Sequence, residues 1–392
     1  MSINIFNPNN TTVATSLFLG EPLGIFDSIN KPFPDIFRLY KKMKSMDWDE
    51  NEWPYEICNA QFKRAKASDY KRMLNTLSWQ WETDSVAARC LFPVVAPYIS
   101  NSELQAAWQL VSANETVHAL TYSEIVRYSF DDPNEVMSYV MGVKEAQARM
   151  QRIVDIFDNA FEVGHRVALG EISRNDPRAY YAIMMFTCAL FALERIQFMD
   201  SFAVTYAQSL YGDFLPIVSA IQKIQTDEFE LHQVLDRTIL THEFKTQRGR
   251  DFFEDNKKEI KELIYDVRNT EIDWNTNVLY ADGTEAPKLN LTELNGFVDF
   301  NTTDVMDFFG FNFKERVDTP PLHKDIMSKF NMNKRQIAPM EERGGNYQQL
   351  FIKQVRDPKY DVTNLLGNTP RTSFTGGVKP STLVARPTKH VL

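Results

Sequence analysis

Between about Ser102 and Tyr265 the chain repeats apolar residues at spacings of three and four and contains little Gly or Pro. This periodicity predicts several long helices, each with one apolar face. Capping residues, prolines and glycines divide the stretch, with helix boundaries predicted near Ser102, Asp131, Pro177, Gly212, Leu215 and Thr241. The pattern therefore predicts an all-α domain.

The longest apolar stretch without a charged residue extends from Ala179 to Leu193 and is followed at once by Glu194. It is shorter than the ~20 residues that a membrane-spanning helix needs, so we expect a core helix and no membrane contact. A buried carboxylate is costly unless it is paired or bound to a metal, which makes Glu194 a candidate functional residue. The alternative is that Glu194 begins an exposed face beside Arg195.

Two regions depart from the helical pattern. The segment 275–313 contains the turn signals Asp282-Gly283 and Leu294-Asn295-Gly296 and predicts an irregular or short β insertion. Helical periodicity also ends near residue 332, and beyond Leu366 Gly, Pro, Ser and Thr dominate. We therefore expect one helical domain over residues 1–332 and a flexible tail over residues 333–392.

Composition narrows the functional classes. Of the 392 residues 43% are hydrophobic, enough for a large core, and the formal net charge of -9 argues against binding to nucleic acid. The three cysteines form no CxxC pair and fit a reducing compartment better than a disulfide framework. The first ten residues lack a basic segment followed by an apolar one, so we expect no secretion signal and a cytoplasmic location.

Carboxylate and imidazole side chains recur at helical spacings. Glu115 and His118 are three residues apart and Glu228 and His232 are four apart, so each pair can share one helix face. Two further helices would add one carboxylate each. The candidate ligands are Asp84, Glu115, His118, Glu194, Glu228 and His232. Four carboxylates and two imidazoles are typical of di-iron or di-manganese sites in four-helix bundles.

Each of these patterns taken alone is weak. An ExxH pattern is more often a solvated helix face, and Asp84 carries little information outside the set. Tyr122 lies four residues after His118 on the same face, where it is either an ordinary core residue or a candidate radical site. Apolar residues at helical spacings from the acidic ligands offer walls for a dry pocket: Phe198, Phe202 and Ile224.

The segment from Asn114 to Tyr122, the residues around Glu194, and Thr226-Asp227-Glu228 resemble the small, radical-generating subunit of class I ribonucleotide reductase. The resemblance implies a ferritin-like helical bundle with extra helices and a di-metal carboxylate site. It implies the function of an aerobic ribonucleoside-diphosphate reductase small subunit, whose radical serves a large subunit that reduces ribonucleotides. It further implies two Fe ions (Mn is possible), dioxygen as oxidant, and a homodimer.

The resemblance also implies a role for individual residues. The six candidate ligands hold the metals, and Tyr122 becomes the stable radical. Trp48 passes an electron into the site, and Asp227 links it to a ligand histidine. A segment near the end of the chain resembles the family's tail, where Tyr347 becomes the exit point of the radical and Glu341 its helper.

Two departures from the family pattern stand out. The last motif usually has Glu and His three residues apart, whereas Glu228 and His232 are four apart. Glu230 falls on the wrong helix face, so we keep Glu228 as the candidate ligand. We expect a local helix bulge to absorb the extra residue. The chain also continues from Tyr347 to a long basic end at Leu392, unlike the short tails of the family.

Two other functions remain open at this point. The same ligands would serve a ferritin-like di-metal oxidase or monooxygenase that acts on its own organic substrate. A non-enzymatic di-metal protein, whose tail binds a partner, is the other alternative. The presence of Tyr122, Trp48 and Tyr347 together favours the reductase over both.

Overall fold

The computed structural model describes residues 16–21, 26 and 29–330. Within these residues the chain forms thirteen α-helices and three π-helical turns. The helices are α1 (Pro34–Ser45), α2 (Ile57–Arg64), α3 (Ala67–Val95), α4 (Ser102–Ser129), α5 (Pro133–Val140), α6 (Lys144–Ala168), α7 (Pro177–Ala192), α8 (Phe198–Gln208), α9 (Leu215–Asp227), α10 (Gln233–Glu243), α11 (Gln247–Trp274), α12 (Leu291–Phe308) and α13 (Lys324–Phe330). The turns are π1 (Leu193–Gln197), π2 (Glu228–His232) and π3 (Asn275–Leu279).

The continuous segment α7–π1–α8 forms the centre of the bundle. Every residue from Ala182 to Ser209 is buried, and a helix that is apolar on all sides is stable only inside a core. The segment Pro177–Gln208 has the length and hydropathy of a membrane span, but its most apolar window is wholly buried within the protein. The core helix predicted from Ala179 to Leu193 is therefore confirmed.

Capping residues account for the predicted helix boundaries. The Asn101 side chain accepts a hydrogen bond from the backbone N–H of Leu104 and starts α4 at Ser102. Asp176 accepts one from Arg178, and Pro177 occupies the first turn of α7. The helix starts predicted at Ser102 and Pro177 are confirmed.

The prediction of an irregular or short β insertion over 275–313 is wrong. The π3 turn continues α11 to Leu279, and α12 occupies 18 residues of the segment. The Asp282-Gly283 signal marks only the loop between them, where Gly283 has a φ of 73°. Gly296, which looked like a turn residue, lies inside α12, where a Cβ atom would meet Pro321 at 3.0 Å. A glycine that permits close packing was therefore mistaken for a turn.

The proposed boundary near residue 332 and the flexible tail stay predictions. The tail begins at residue 333 and lies outside the described residues. The described part of the domain ends with α13.

Asn290 is expected to stabilise the first turn of α12. Its side chain accepts from the Glu293 N–H at 2.9 Å, while the Glu293 carboxylate accepts from the Asn290 N–H at 3.1 Å. Asn290→Ala removes one half of this capping box and should lower the free energy of unfolding by about 1 kcal/mol in urea titrations. Asn290→Asp keeps the acceptor and serves as the control. Equal stability of the alanine and aspartate variants would contradict this role.

Candidate metal centre

Four segments of the bundle bring the six predicted ligands together. Asp84 comes from α3, Glu115 and His118 from α4, Glu194 from π1, and Glu228 and His232 from π2. Each side chain is at most 2% exposed. The reading of Glu194 as the start of an exposed face is therefore wrong. Arg195 beside it is also buried, because its guanidinium pairs with Asp304 on α12 at 2.9 Å.

The ligand atoms form two groups that share one residue. Atoms of Glu115, Glu194, Glu228 and His232 lie within 4.8 Å of one another, and so do atoms of Asp84, Glu115 and His118. Glu115 belongs to both groups, which is the position of a carboxylate that bridges two ions. The grouping fits two adjacent metal sites and not a single one.

Two carboxylates lie between the two imidazoles. His118 Nδ1 is 3.4 Å from Glu115 Oε2 and 3.0 Å from Glu228 Oε1. His232 Nδ1 is 3.2 Å from Glu115 Oε1 and 3.1 Å from Glu228 Oε2. Each glutamate thus directs one oxygen to each histidine, so Glu228 is a second candidate bridge.

The helix bulge predicted around Glu228 and His232 is confirmed, because these residues begin and end π2. A π-turn accommodates one extra residue per turn, and such turns are frequent at functional sites. Glu230, between them, points away from the ligands and binds Lys42 Nζ at 2.6 Å, with the pair partly exposed. A second π-turn carries Glu194, a feature that the spacing of residues did not reveal.

The charges of the site are strongly coupled. Burial, reinforced by neighbouring carboxylates, raises the pKa of both Asp84 and Glu194 well above the usual range. Burial also opposes the charged forms of Glu228 and His232, but their mutual attraction outweighs it. As a result the pKa of Glu228 falls well below its usual range, and that of His232 rises to about 10.

The residues present fit a pair of divalent cations. Buried ligand atoms without a hydrogen bond of ordinary geometry include both oxygens of Asp84 and one oxygen each of Glu115, Glu194 and Glu228, and only those of Glu115 and Glu228 lie within 3.4 Å of an imidazole nitrogen. Buried polar atoms are normally paired, so five carboxylate oxygens left in one place require a positive partner. Hard carboxylate oxygens with one imidazole per ion suit Fe or Mn.

Asp227 connects Trp48 to the site. The Trp48 Nε1–H donates to Asp227 Oδ2 at 2.7 Å, and the same oxygen lies 3.1 Å from His118 Nε2. The Trp48 ring also stacks against the His118 ring, with 5.9 Å between centroids. A carboxylate on the second ring nitrogen fixes the orientation of a ligand imidazole. The structure thus places Trp48 and Asp227 where the resemblance implied.

Tyr122 is fully buried one helical turn after His118, and its hydroxyl has no hydrogen-bond partner in the protein by strict geometry. Burial raises the pKa of Tyr122 well above its usual value, and the charge of Asp84 adds to this effect. Phe198, predicted as a wall, lines a cavity of about 10 Å³ that touches Glu115 and Glu194. The other two predicted walls, Phe202 and Ile224, are buried as well.

The sequence analysis missed two residues near the site, and two of its predicted residues lie outside the described part of the chain. Asp236 is fully buried, and its carboxylate interacts with the charge of His232. The signal was available, since Asp236 follows His232 by one helical turn. Trp53 packs edge-on against Trp48, with 5.7 Å between ring centroids. Glu341 and Tyr347 lie outside the described residues.

Comparisons with known proteins agree with this geometry. The sequence is 22% identical over 375 residues to ribonucleoside-diphosphate reductase 1 subunit beta of Escherichia coli O157:H7, covering 91% of this chain and 96% of that protein. It is 23% identical over 370 residues to the ribonucleoside-diphosphate reductase subunit beta of Enterobacteria phage T4, covering 88% of this chain and 94% of the relative.

Solved structures share the fold. A ribonucleotide reductase R2 subunit from Clostridium botulinum superposes with a TM-score of 0.68 at 18% identity, covering 82% of this chain and 96% of that one. The dimanganese(II)-NrdF of Streptococcus sanguinis superposes with a TM-score of 0.60 at 14% identity, covering 78% and 99%. The predicted all-α, ferritin-like bundle is therefore confirmed.

The family described as ribonucleotide reductase, small chain, matches residues 27–314, which include all six candidate ligands. The matched region contains α1 to α12 and the three π-turns found among the described residues. The chain therefore belongs to the ribonucleotide reductase small-chain family and is the small subunit of a ribonucleoside-diphosphate reductase.

Proposed function

We propose that this small subunit forms a tyrosyl radical at Tyr122 and delivers it to a large subunit, which reduces the ribonucleotide. One observation carries the proposal. Six buried ligand side chains converge from four segments, and a fully buried tyrosine lies one helical turn away from them. A phenoxyl radical persists only where water and reductants are excluded, and Tyr122 has no exposed surface.

The proposed cofactor is a pair of Fe ions, and Mn ions would accept the same donors. Asp84, Glu115 and His118 would hold one ion, and Glu194, Glu228 and His232 the other, with Glu115 shared. A bound pair of ions would supply the oxidising equivalents, with dioxygen as the oxidant. The protein supplies the positions of the ligands and the dry surroundings.

Tyr122 gives up one electron and its hydroxyl proton in this proposal. Asp84 is the proton acceptor, because its carboxyl group lies beside the Tyr122 hydroxyl and neither of its oxygens has a hydrogen bond of ordinary geometry.

Trp48 supplies a second electron through its contacts with Asp227 and His118. The radical leaves by way of Trp48 towards Tyr347, with Glu341 as its helper. The proposed assembly is a homodimer that binds the large subunit in the cytoplasm.

The size of the cavity argues against a di-metal oxidase with its own organic substrate. The space beside Glu115 and Glu194 measures about 10 Å³, room for one water-sized molecule. Dioxygen is close to this size, whereas an organic substrate would need the surrounding helices to move apart.

The radical assignment can be tested by spectroscopy. Metal-free protein loaded anaerobically with Fe(II) and then exposed to dioxygen should show a tyrosyl signal in the EPR spectrum, and Tyr122→Phe should abolish it. Tyr98→Phe is the matched control, because Tyr98 is equally buried but donates its hydroxyl to the Ala160 carbonyl. A tyrosyl signal that survives in Tyr122→Phe would place the radical elsewhere.

Metal loading should release protons, so metal affinity should rise with pH. His232, with a pKa of about 10 against an ordinary value near ~6.5, is protonated in the metal-free protein at neutral pH. An ion can bind its nitrogen only after that proton leaves. Calorimetric titration with Mn(II) at pH 7 in buffers of different ionisation enthalpy measures the protons released.

His232→Gln should release fewer protons per ion than the natural protein. His165→Gln is the control, since His165 is partly exposed and bonds the Phe161 carbonyl. The metal-free protein should also lose stability as the pH rises through about 10, because the charged imidazole stabilises the folded state at lower pH. Proton release that is identical in both histidine variants would refute the assignment of His232.

A further inference from the structure

A second buried polar cluster lies outside the proposed ligand set. We call it the acid–arginine network, and it consists of Arg149 on α6, Gln197 on π1, Asp200 on α8, Glu271 on α11 and Asn275 on π3. Each of these residues is at most 4% exposed. Charged groups this deeply buried are costly unless paired, and the mechanism proposed above uses none of them.

Arg149 and Glu271 form the ionised part of the network. The guanidinium donates from Nε to Glu271 Oε2 at 2.7 Å and from Nη2 to the other oxygen. Its face lies 3.7 Å from the centroid of the Trp79 ring and 5.0 Å from that of Trp274. Two hydrogen bonds and two aromatic faces hold the positive charge where water cannot reach it.

Asp200 is the uncompensated member. Glu271 and Asn275 border its carboxyl group, yet neither oxygen has a protein hydrogen bond of ordinary geometry. Asp200 also interacts electrostatically with Arg149, which lowers its pKa in part, and with Tyr280, whose ring is covered by Arg72 at 4.8 Å. Arg149 is therefore the only cation of the network, and it already serves Glu271.

Two adjacent carboxylates carry two negative charges, and the guanidinium beside them carries one positive charge. A single bound proton makes the cluster electrically neutral. Burial and the charge of Glu271 both raise the pKa of Asp200 well above its usual range. The pKa of Glu271 is also raised by burial, but Arg149 opposes that rise. The proton therefore belongs mainly to Asp200, which can then donate to the Glu271 carboxylate.

The network also reaches the turn that carries Glu194. Arg149 Nη2 donates to the main-chain carbonyl of Gln197 at 3.5 Å, and Gln197 Nε2 donates to the carbonyl of Arg149 at 3.4 Å. Gln197 is the last residue of π1. This reciprocal pair ties the irregular turn to α6 on one side, while Arg195 ties it to α12 on the other.

We propose that Asp200 and Glu271 share one buried proton, and that Arg149 and Glu271 act as positioning residues that hold π1 and thereby Glu194 in place. The second half rests on the proposed role of Glu194 as a metal ligand. The first half concerns this chain alone and is independent of any metal.

Infrared difference spectroscopy on the metal-free protein tests the shared proton. At pH 7, the spectrum of the natural protein minus that of Asp200→Asn should contain a carboxylic-acid C=O band. Asp266→Asn is the control, since Asp266 is exposed on α11 and makes only a long contact of 3.9 Å with Arg152 on α6. Absence of the band from the first difference spectrum would overturn proton sharing.

Urea unfolding between pH 5 and pH 8 provides an independent measure. The pKa of Asp200 is higher in the folded state than in the unfolded state. Its stabilising contribution to the free energy of unfolding is therefore complete below pH ~3.9, the pKa of an unfolded aspartate, and declines as the pH rises towards the folded-state pKa. Asp200→Asn removes this decline and should become more stable relative to the natural protein with rising pH. Glu271→Gln leaves Arg149 without a counter-charge and should be less stable throughout. Equal losses in both variants at pH 7 would show two ionised acids and refute the proposal.

Cobalt(II) titration of the metal-free protein tests the positioning of Glu194. At pH 7, in samples shown to be folded by circular dichroism, Glu271→Gln should lower the affinity for one of the two Co(II) ions about tenfold and change the absorption spectrum of that ion. Asp200→Asn and Asp266→Asn should leave both unchanged. Gln197→Met, which removes the side-chain bond to α6 and leaves Arg149 and Glu271 in place, serves if Glu271→Gln does not fold.

If folded Glu271→Gln or Gln197→Met bound Co(II) with the affinity and absorption spectrum of the natural protein, the positioning role would be overturned. Failure of the natural protein to bind Co(II) would overturn that role together with the proposed metal site. The infrared result would still decide whether Asp200 and Glu271 share a proton.

Discussion

Burial of four carboxylates beside two imidazoles is the interaction on which the rest of the bundle depends. No hydrophobic gain offsets the cost of leaving several carboxylate oxygens unpaired in a core, so the site is stable only with cations or bound protons. In the metal-free state the raised pKa of Asp84, Glu194 and His232 shows protons taking over part of that role. The helix packing, the contacts around the ligands and the proposed radical chemistry all depend on this balance.

The π-turns show how helices accommodate such a site. Regular helices would place ligands only at the spacings that their pitch allows, whereas π1 and π2 each insert a residue beside a glutamate of the candidate ligand set. Irregular turns lose regular backbone bonding and need support from neighbours. For π1 this support comes from two arginines. Arg149 bonds the main-chain carbonyl of a π1 residue and pairs with an acid on α11. Arg195 belongs to π1 and pairs with an acid on α12.

Sequence reasoning reached the helical class, the buried helix before Glu194 and the bulge at Glu228, because spacing and hydropathy report directly on helix faces. It failed over 275–313, where Gly296 served close packing instead of a turn. It also missed the network around Asp200, since an acid six residues after Glu194 has no local pattern that reveals its partners. Those partners lie on α6 and α11 and meet Asp200 only in the folded protein.

The depth of the site has a consequence for assembly of the active subunit. All six ligand side chains are at most 2% exposed, and the adjoining cavity holds only about 10 Å³. A hydrated cation is larger than this, so ions enter only when helices separate briefly. The rate at which newly made protein matures is then governed by the frequency of these openings and not by ion concentration alone. The closure that would protect the proposed radical thus also restricts the entry of the ions.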